Sequence, residues 1–140
     1  MISVEDALKQ ILEVIVPLGQ EKVNILDSLG RVIGEDIYAN RNIPPRDNSA
    51  MDGYALRWKD TRGASRENPI VLNVIENLPA GSIPRKAVGR GESSRIMTGA
   101  PIPDGADAVV RVEDTAKHGR RVKIFAQDRD GQDIRLAGED

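Results

Sequence analysis

Beyond residue 52 the apolar residues of this chain come only in short β-prone runs, and no run there has the length or spacing of a helix. Tyr54 to Leu56, Ile70 to Ile75, Arg95 to Met97, Ala108 to Val112 and Arg121 to Phe125 are rich in Val, Ile and other strand formers, and Gly, Pro and Asn separate them. A chain patterned this way can bury its apolar side chains only by pairing strands, so residues 42–140 are expected to form a β-rich lobe. Lys117-His118-Gly119-Arg120 has the composition of a hairpin turn with Gly119 at positive φ, which predicts an antiparallel pair at the end of the lobe and makes His118 a turn residue.

The first 41 residues follow a different rule. Val4, Ala7, Leu8, Ile11, Leu12 and Ile15 fall on one stripe at helical spacing, Ser3 and Asp6 resemble a capping box, and Pro17 with Gly19 stops the run. A helix over Ser3 to Val16 follows, and its stripe is expected to pack on a core or on another chain. Glu21 to Leu26 and Arg31 to Tyr38 alternate apolar and polar residues and read as strands, with a tight turn or one helical turn at Asp27-Ser28-Leu29-Gly30. The expected fold class is therefore mainly β with an N-terminal helix (α+β). Residues 1–41 form a helix and an extended stalk or dimerisation segment, and residues 42–140 form the β-rich lobe.

Composition removes whole classes of chemistry. The 140 residues contain no cysteine and one histidine, which excludes disulfides, thiolate metal sites, cysteine nucleophiles and multi-histidine metal cages. Aromatic residues are only 3%, with Trp58 and Phe125 single of their kind, so the core must be built from Val, Ile, Leu and Ala. Twenty basic residues against 22 acidic give a net charge of −2, which argues against a nucleic-acid partner. The acidic start and the lack of a long apolar run argue against an export signal or a membrane span, and a cytoplasmic location is expected.

What remains is carboxylate, hydroxyl and backbone-amide chemistry, and it concentrates in three stretches. Behind Pro44-Pro45 lies Asp47-Asn48-Ser49-Ala50-Met51-Asp52-Gly53-Tyr54-Ala55, on a segment from Asn42 to Asp52 that reads as a loop. Two carboxylates, an amide and a hydroxyl there suit Mg²⁺ or phosphate, Met51 can anchor the loop, and Gly53 can let the backbone turn after Asp52. The same residue types also cap turns. The second stretch ends a β-like run in Thr98-Gly99, followed by Ala100-Pro101-Ile102-Pro103, where consecutive N–H groups and the Thr98 hydroxyl could hold an anion, or where a strand simply ends. The third is the tail from Asp128 to Asp140. Its Asp128, Asp130 and Gly131 fail the register of a calcium loop, because Ala126 and Ala137 fall where acidic ligands belong.

Together, and in this order, DNSAMDGYA (Asp47 to Ala55), RIMTGAP (Arg95 to Pro101) with Pro103, the following Gly105 to Val110, and Ile134-Arg135 with Gly138-Glu139-Asp140 resemble the MoeA and gephyrin E-domain family. These are the molybdopterin molybdenumtransferases of molybdenum cofactor biosynthesis. The resemblance spans essentially the whole chain. It implies an elongated fold of short mixed sheets and an enzyme that inserts molybdate into adenylylated molybdopterin with release of AMP and with Mg²⁺ as cofactor. By motif match, Asp52, Thr98 and Asp140 would be catalytic, Asp47, Asn48, Ser49 and Gly99 would bind substrate, and Asp52 with Asp140 would hold Mg²⁺. It also implies a homodimer with a site shared between subunits, and a molybdopterin adenylyltransferase acting just upstream.

Two departures stand out. Arg46 occupies a position where relatives often carry a bulky apolar residue. Family members also continue past the Gly-Glu-Asp motif into a molybdopterin-binding α/β domain and a small β-domain, so this chain is expected to be an N-terminal part that does not turn over alone. The alternative implied by the same resemblance is a non-catalytic dimerisation or scaffold module.

Overall fold

The computed structural model of the chain describes residues 2–140, which fall into two compact units, 2–38 and Ala39–Asp140.

In the first unit, helix α1 (Val4–Val14) starts where the capping pattern predicts. The Ser3 hydroxyl oxygen accepts the Asp6 N–H at 3.1 Å and donates to the Asp6 carboxylate at 2.7 Å, and Glu5 and Asp6 lie in the positive first turn. None of its residues is buried, and Leu8, Ile11 and Leu12 are all more than half exposed. The strands expected at Glu21–Leu26 and Arg31–Tyr38 do not form. Asn24 instead caps a 3₁₀ turn, Ile25–Asp27, by accepting the Leu26 N–H at 2.9 Å, and the Ser28 hydroxyl donates to the Ile25 carbonyl at 2.6 Å. Side-chain bonds of this kind compete with extended backbone. Alternation supplies the two faces of a strand but not the neighbour that its N–H and C=O groups need.

The second unit contains eight strands: β1 (Asn48–Ser49), β2 (Gly53–Leu56), β3 (Ile70–Leu78), β4 (Glu92–Ile96), β5 (Ala108–Arg111), β6 (Thr115–His118), β7 (Arg121–Ile124) and β8 (Ile134–Arg135). Six form one sheet in the order β5-β2-β4-β3-β7-β6, antiparallel except for the parallel pair β3 and β4, whose register shifts between Val74 and Glu76. The hairpin expected at Lys117–Arg120 joins β6 to β7, with Gly119 at φ +60°.

β2, inside the sheet, and β5, at its edge, are apolar on both faces. Tyr54, Leu56, Ala108 and Val110 join Leu72, Val122 and Ile124 in one buried cluster. The alternate residues Ala55 and Val109 join Leu78, Ile96 and Ala100 in a second. Successive side chains of a strand point to opposite faces, so two short strands serve two cores and the shortage of aromatics is made good with β-branched residues and Leu. The loop expected from Asn42 to Asp52 is irregular except at β1, which pairs antiparallel with β8. That small second sheet carries the first motif against the tail.

Candidate active site: the Asp52–Thr98 turn

The loop holding Asp52 is fixed from both sides. Gly99 donates its N–H to the Ser49 carbonyl at 2.8 Å, Ser49 donates to Ala100 O at 2.9 Å, and Ile102 donates to Asp47 O at 3.0 Å, so the Thr98-Gly99 turn is stitched to the Asp47–Ser49 backbone. Gly99 has φ +81°, a conformation that side-chain-bearing residues rarely adopt, and this lets the strand β4 reverse directly after Thr98. On the other side Ala50 N–H donates to Asp133 O at 2.9 Å, and the Asp52 carbonyl accepts the Val112 N–H at 3.0 Å.

Asp52 emerges from this frame exposed, with one carboxylate oxygen already engaged. Its Oδ1 accepts both the Thr98 N–H and the Thr98 hydroxyl, each at 2.8 Å. These two donors hold the carboxyl below the ordinary carboxylate range, the backbone bond most strongly and the hydroxyl next, with a smaller effect from the Arg95 charge. Arg95 sits nearby because its Nη1 donates to Gly53 O at 2.7 Å and Ile96 O at 3.0 Å, and its guanidinium carbon lies 5.2 Å from the centre of the Tyr54 ring. It belongs to the quoted motif but was not singled out in the sequence. Its position just before Ile96-Met97-Thr98 on a strand paired with β2 is the signal that could have marked it.

Gly53 serves a different purpose from the turn expected of it. It is the first residue of β2, and a Cβ there would come within 2.0 Å of the Val110 carbonyl oxygen. The glycine permits close approach of β5, and that approach sets where Asp52 leaves the sheet.

The other expected site residues separate into distinct surroundings. The Asp47 Oδ1 accepts the Ala137 N–H at 2.8 Å and so ties the loop to the tail. Ser49 is fully buried and turned inward, its hydroxyl donating to Met51 O at 2.5 Å and accepting the Met51 N–H at 3.3 Å. Asn48 leaves its side-chain oxygen buried without a partner. Asp140 is held beside Pro44, through Asp140 N–H to Ile43 O and Gly138 N–H to Pro44 O at 3.0 Å each, and its carboxylate pairs with Arg135 rather than with Asp52 or Thr98. The structure thus brings Asp52 and Thr98 into direct contact and attaches Asp140 to the stem of the same loop.

A second polar group lies under the tail. Arg111 makes a two-pronged contact with Asp133, Nε to Oδ2 at 2.8 Å and Nη2 to Oδ1 at 3.0 Å, which lowers the Asp133 pKa. Asp133 has φ +53°, tolerable for Asp more than for most residues, and Arg111 holds it there. Neighbouring Asp128 keeps one carboxylate oxygen buried without a partner, and desolvation with the charges of Asp133 and Asp114 pushes its pKa up to about 6.

The residues present fit Mg²⁺ in a limited way. Asp52 Oδ2 makes no hydrogen bond among the described residues, so it can supply one oxygen, while Asp140 is engaged by Arg135. Among the described residues no group of three or more His, Asp or Glu side chains is placed to hold a metal. A single carboxylate suits Mg²⁺ only where substrate phosphate and water complete the shell. No helix of the described residues is long and apolar enough to cross a membrane.

Residues 2–140 match the family model for the MoeA N-terminal region (domain I and II). The chain is 40% identical over 139 residues to the molybdopterin molybdenumtransferase of Staphylococcus epidermidis, covering 99% of this chain and 33% of that protein. It is 41% identical over 140 residues to molybdopterin molybdenumtransferase 2 of Mycobacterium tuberculosis, covering 100% and 35%. The crystal structure of the molybdopterin biosynthesis moeA protein from Pyrococcus horikoshii OT3 superposes with a TM-score of 0.84 at 40% identity, over 97% of this chain and 36% of that one. The chain therefore spans about a third of the length of these relatives.

Proposed function

Because the chain belongs to the MoeA N-terminal-region family, we propose that it is the N-terminal part of a molybdopterin molybdenumtransferase, which inserts molybdate into adenylylated molybdopterin and releases AMP. The observation that carries this reading is the Asp52–Thr98 contact: an exposed carboxylate fixed by two donors from a turn 46 residues away, with its second oxygen open. Thr98 keeps Asp52 ionised and aimed, and the open Oδ2 would hold Mg²⁺ against a substrate phosphate. Bound there, Mg²⁺ would neutralise charge on the phosphoryl group that leaves with AMP. Asp140 would complete this wall of the site from the stem of the loop, Asp47, Asn48 and Gly99 would line the approach of substrate, and Ser49, buried and bonded to Met51, would hold the wall in shape rather than touch substrate.

The reading includes a homodimer in which the wall faces a partner subunit, supply of the adenylylated substrate by a molybdopterin adenylyltransferase, and a cytoplasmic location. Residues 2–38 support the dimer, because none of them is buried and Leu18, Leu29 and Val32 are each at least 95% exposed. The same exposure favours a second reading, a non-catalytic dimerisation or scaffold module. The two separate in a chimera in which residues 2–140 replace the matching third of the Staphylococcus epidermidis relative. Molybdenum insertion by the chimera supports the enzyme, and a folded, dimeric but inactive chimera supports the scaffold.

A further inference from the structure

A cleft of about 360 Å³ opens in the second unit where the β3–β4 connection passes the start of the Asp47 loop, and it is lined by Arg46, Arg85 and Lys86. Three cations around one cleft are notable in a chain whose net charge is −2. The backbone that carries two of them is held in place. The Glu76 carboxylate accepts the backbone N–H groups of Arg85, at 3.2 and 3.3 Å, and of Lys86, at 3.2 Å, which pins the connection against β3. Lys86 Nζ donates once, to Ile75 O at 3.0 Å, leaving two N–H groups for a ligand. Neither the Arg46 nor the Arg85 guanidinium has an ion-pair partner among the described residues.

Two carboxylates share the cleft, Asp47 and Asp104. Asp47 Oδ1 already accepts the Ala137 N–H, whereas neither carboxylate oxygen of Asp104 has a hydrogen-bond partner among the described residues, which makes Asp104 the more open acceptor. Three cations against two acids do not suit a polyanion, but they suit one phosphate group attached to an organic part that carries hydroxyls. Pro84 and Pro101 supply a rigid apolar wall for that part. We propose that this cleft is a binding subsite for a small phosphate monoester, with the phosphate on Arg46, Arg85 and Lys86 and a hydroxyl of the organic part on Asp104. Glu76 acts as a positioning residue, and the inference stands independently of the molybdenum-insertion reading.

The test is an amide NMR titration of the 140-residue chain at low ionic strength with ribose 5-phosphate, adenosine 5′-monophosphate, inorganic phosphate and adenosine as separate probes. Saturable shifts confined to residues 46–47, 83–87 and 101–104 are expected for the two monoesters, weaker binding for inorganic phosphate and none for adenosine. The double variant Arg46→Ala/Arg85→Ala removes two exposed side chains and should fold normally while weakening monoester binding at least about tenfold. Lys123→Ala, on the β7 strand, should leave it unchanged. Equal binding of inorganic phosphate and both monoesters would reduce the site to a free-anion site and overturn the role of Asp104 and the prolines. Shifts spread evenly over the basic surface, or none at millimolar probe, would overturn the site itself.

Discussion

Asp52 Oδ1 receives both the backbone N–H and the side-chain hydroxyl of Thr98 at 2.8 Å, so one residue supplies two donors to one oxygen of an exposed carboxylate. The pair joins the end of β4 to the entry of β2 and leaves the second carboxylate oxygen free to act.

The hydroxyl contributes to keeping Asp52 ionised, so Thr98→Val should raise the Asp52 pKa while Thr98→Ser leaves it nearly in place. Because the folded-state pKa is lowered, this contact favours the folded chain above the unfolded pKa and is lost as pH falls through the folded pKa. Carboxyl-carbon NMR titration of the two variants reads it directly, and equal titration of Asp52 in both would contradict the assigned role of the hydroxyl.

Asp128 predicts the opposite pH dependence. Its pKa of about 6 lies above the unfolded value of 3.8, so the ionised form weakens the fold at neutral pH, and the penalty fades as pH drops from above 6 to below 4. Asp128→Asn removes the charge and keeps the shape. It should stabilise the chain at pH 7 by on the order of 1 kcal/mol, after allowing for solvent screening of a half-buried group, and by nearly nothing at pH 4. Urea unfolding at the two pH values measures both.

Gly53→Ala places a methyl group within 2.0 Å of the Val110 carbonyl. Backbone on both sides resists the shift, so a loss of about 1–3 kcal/mol is expected, with Asp52 displaced along with its strand. Denaturant unfolding gives the loss, and the chemical shift of the Thr98 amide reports the displacement. An unchanged midpoint would show that β2 and β5 can part without cost.

The two units should answer truncation differently. Leu78 is 1% exposed in the second core cluster, and Leu78→Ala is expected to cost about 2–5 kcal/mol. Leu29 is 97% exposed, and Leu29→Ala should change the stability of the isolated chain by no more than about 0.5 kcal/mol. A large effect at Leu29 would mean that the first unit is covered in solution, which sedimentation would then resolve as self-association.

Much of the second unit was legible because its strands are short β-branched runs punctuated by glycine, and each such run appears near its expected place. In the first unit alternation alone predicts strands at Glu21–Leu26 and Arg31–Tyr38, but Asn24 and Ser28 close a 3₁₀ turn across the end of the first, and the second finds no strand to pair with. Pairing is a property of two segments, and one segment cannot announce it. The same limit applies to the site. Residue chemistry marked Asp52 and Thr98 separately, but their contact crosses 46 residues, and only the family resemblance set them side by side. Gly53 was expected as a turn residue because the approaching Val110 carbonyl comes from a strand that lies far along the chain.

The central claim is that Asp52, held by Thr98, is needed for molybdenum insertion. It is tested most directly by single-turnover insertion from molybdate and adenylylated molybdopterin, comparing Asp52→Ala with the unaltered residue in the chimera on the Staphylococcus epidermidis relative. A fall of at least about 10²-fold with folding unchanged is predicted, the scale seen when one group that stabilises developing charge is removed. Undiminished insertion by the Asp52→Ala chimera would contradict the account.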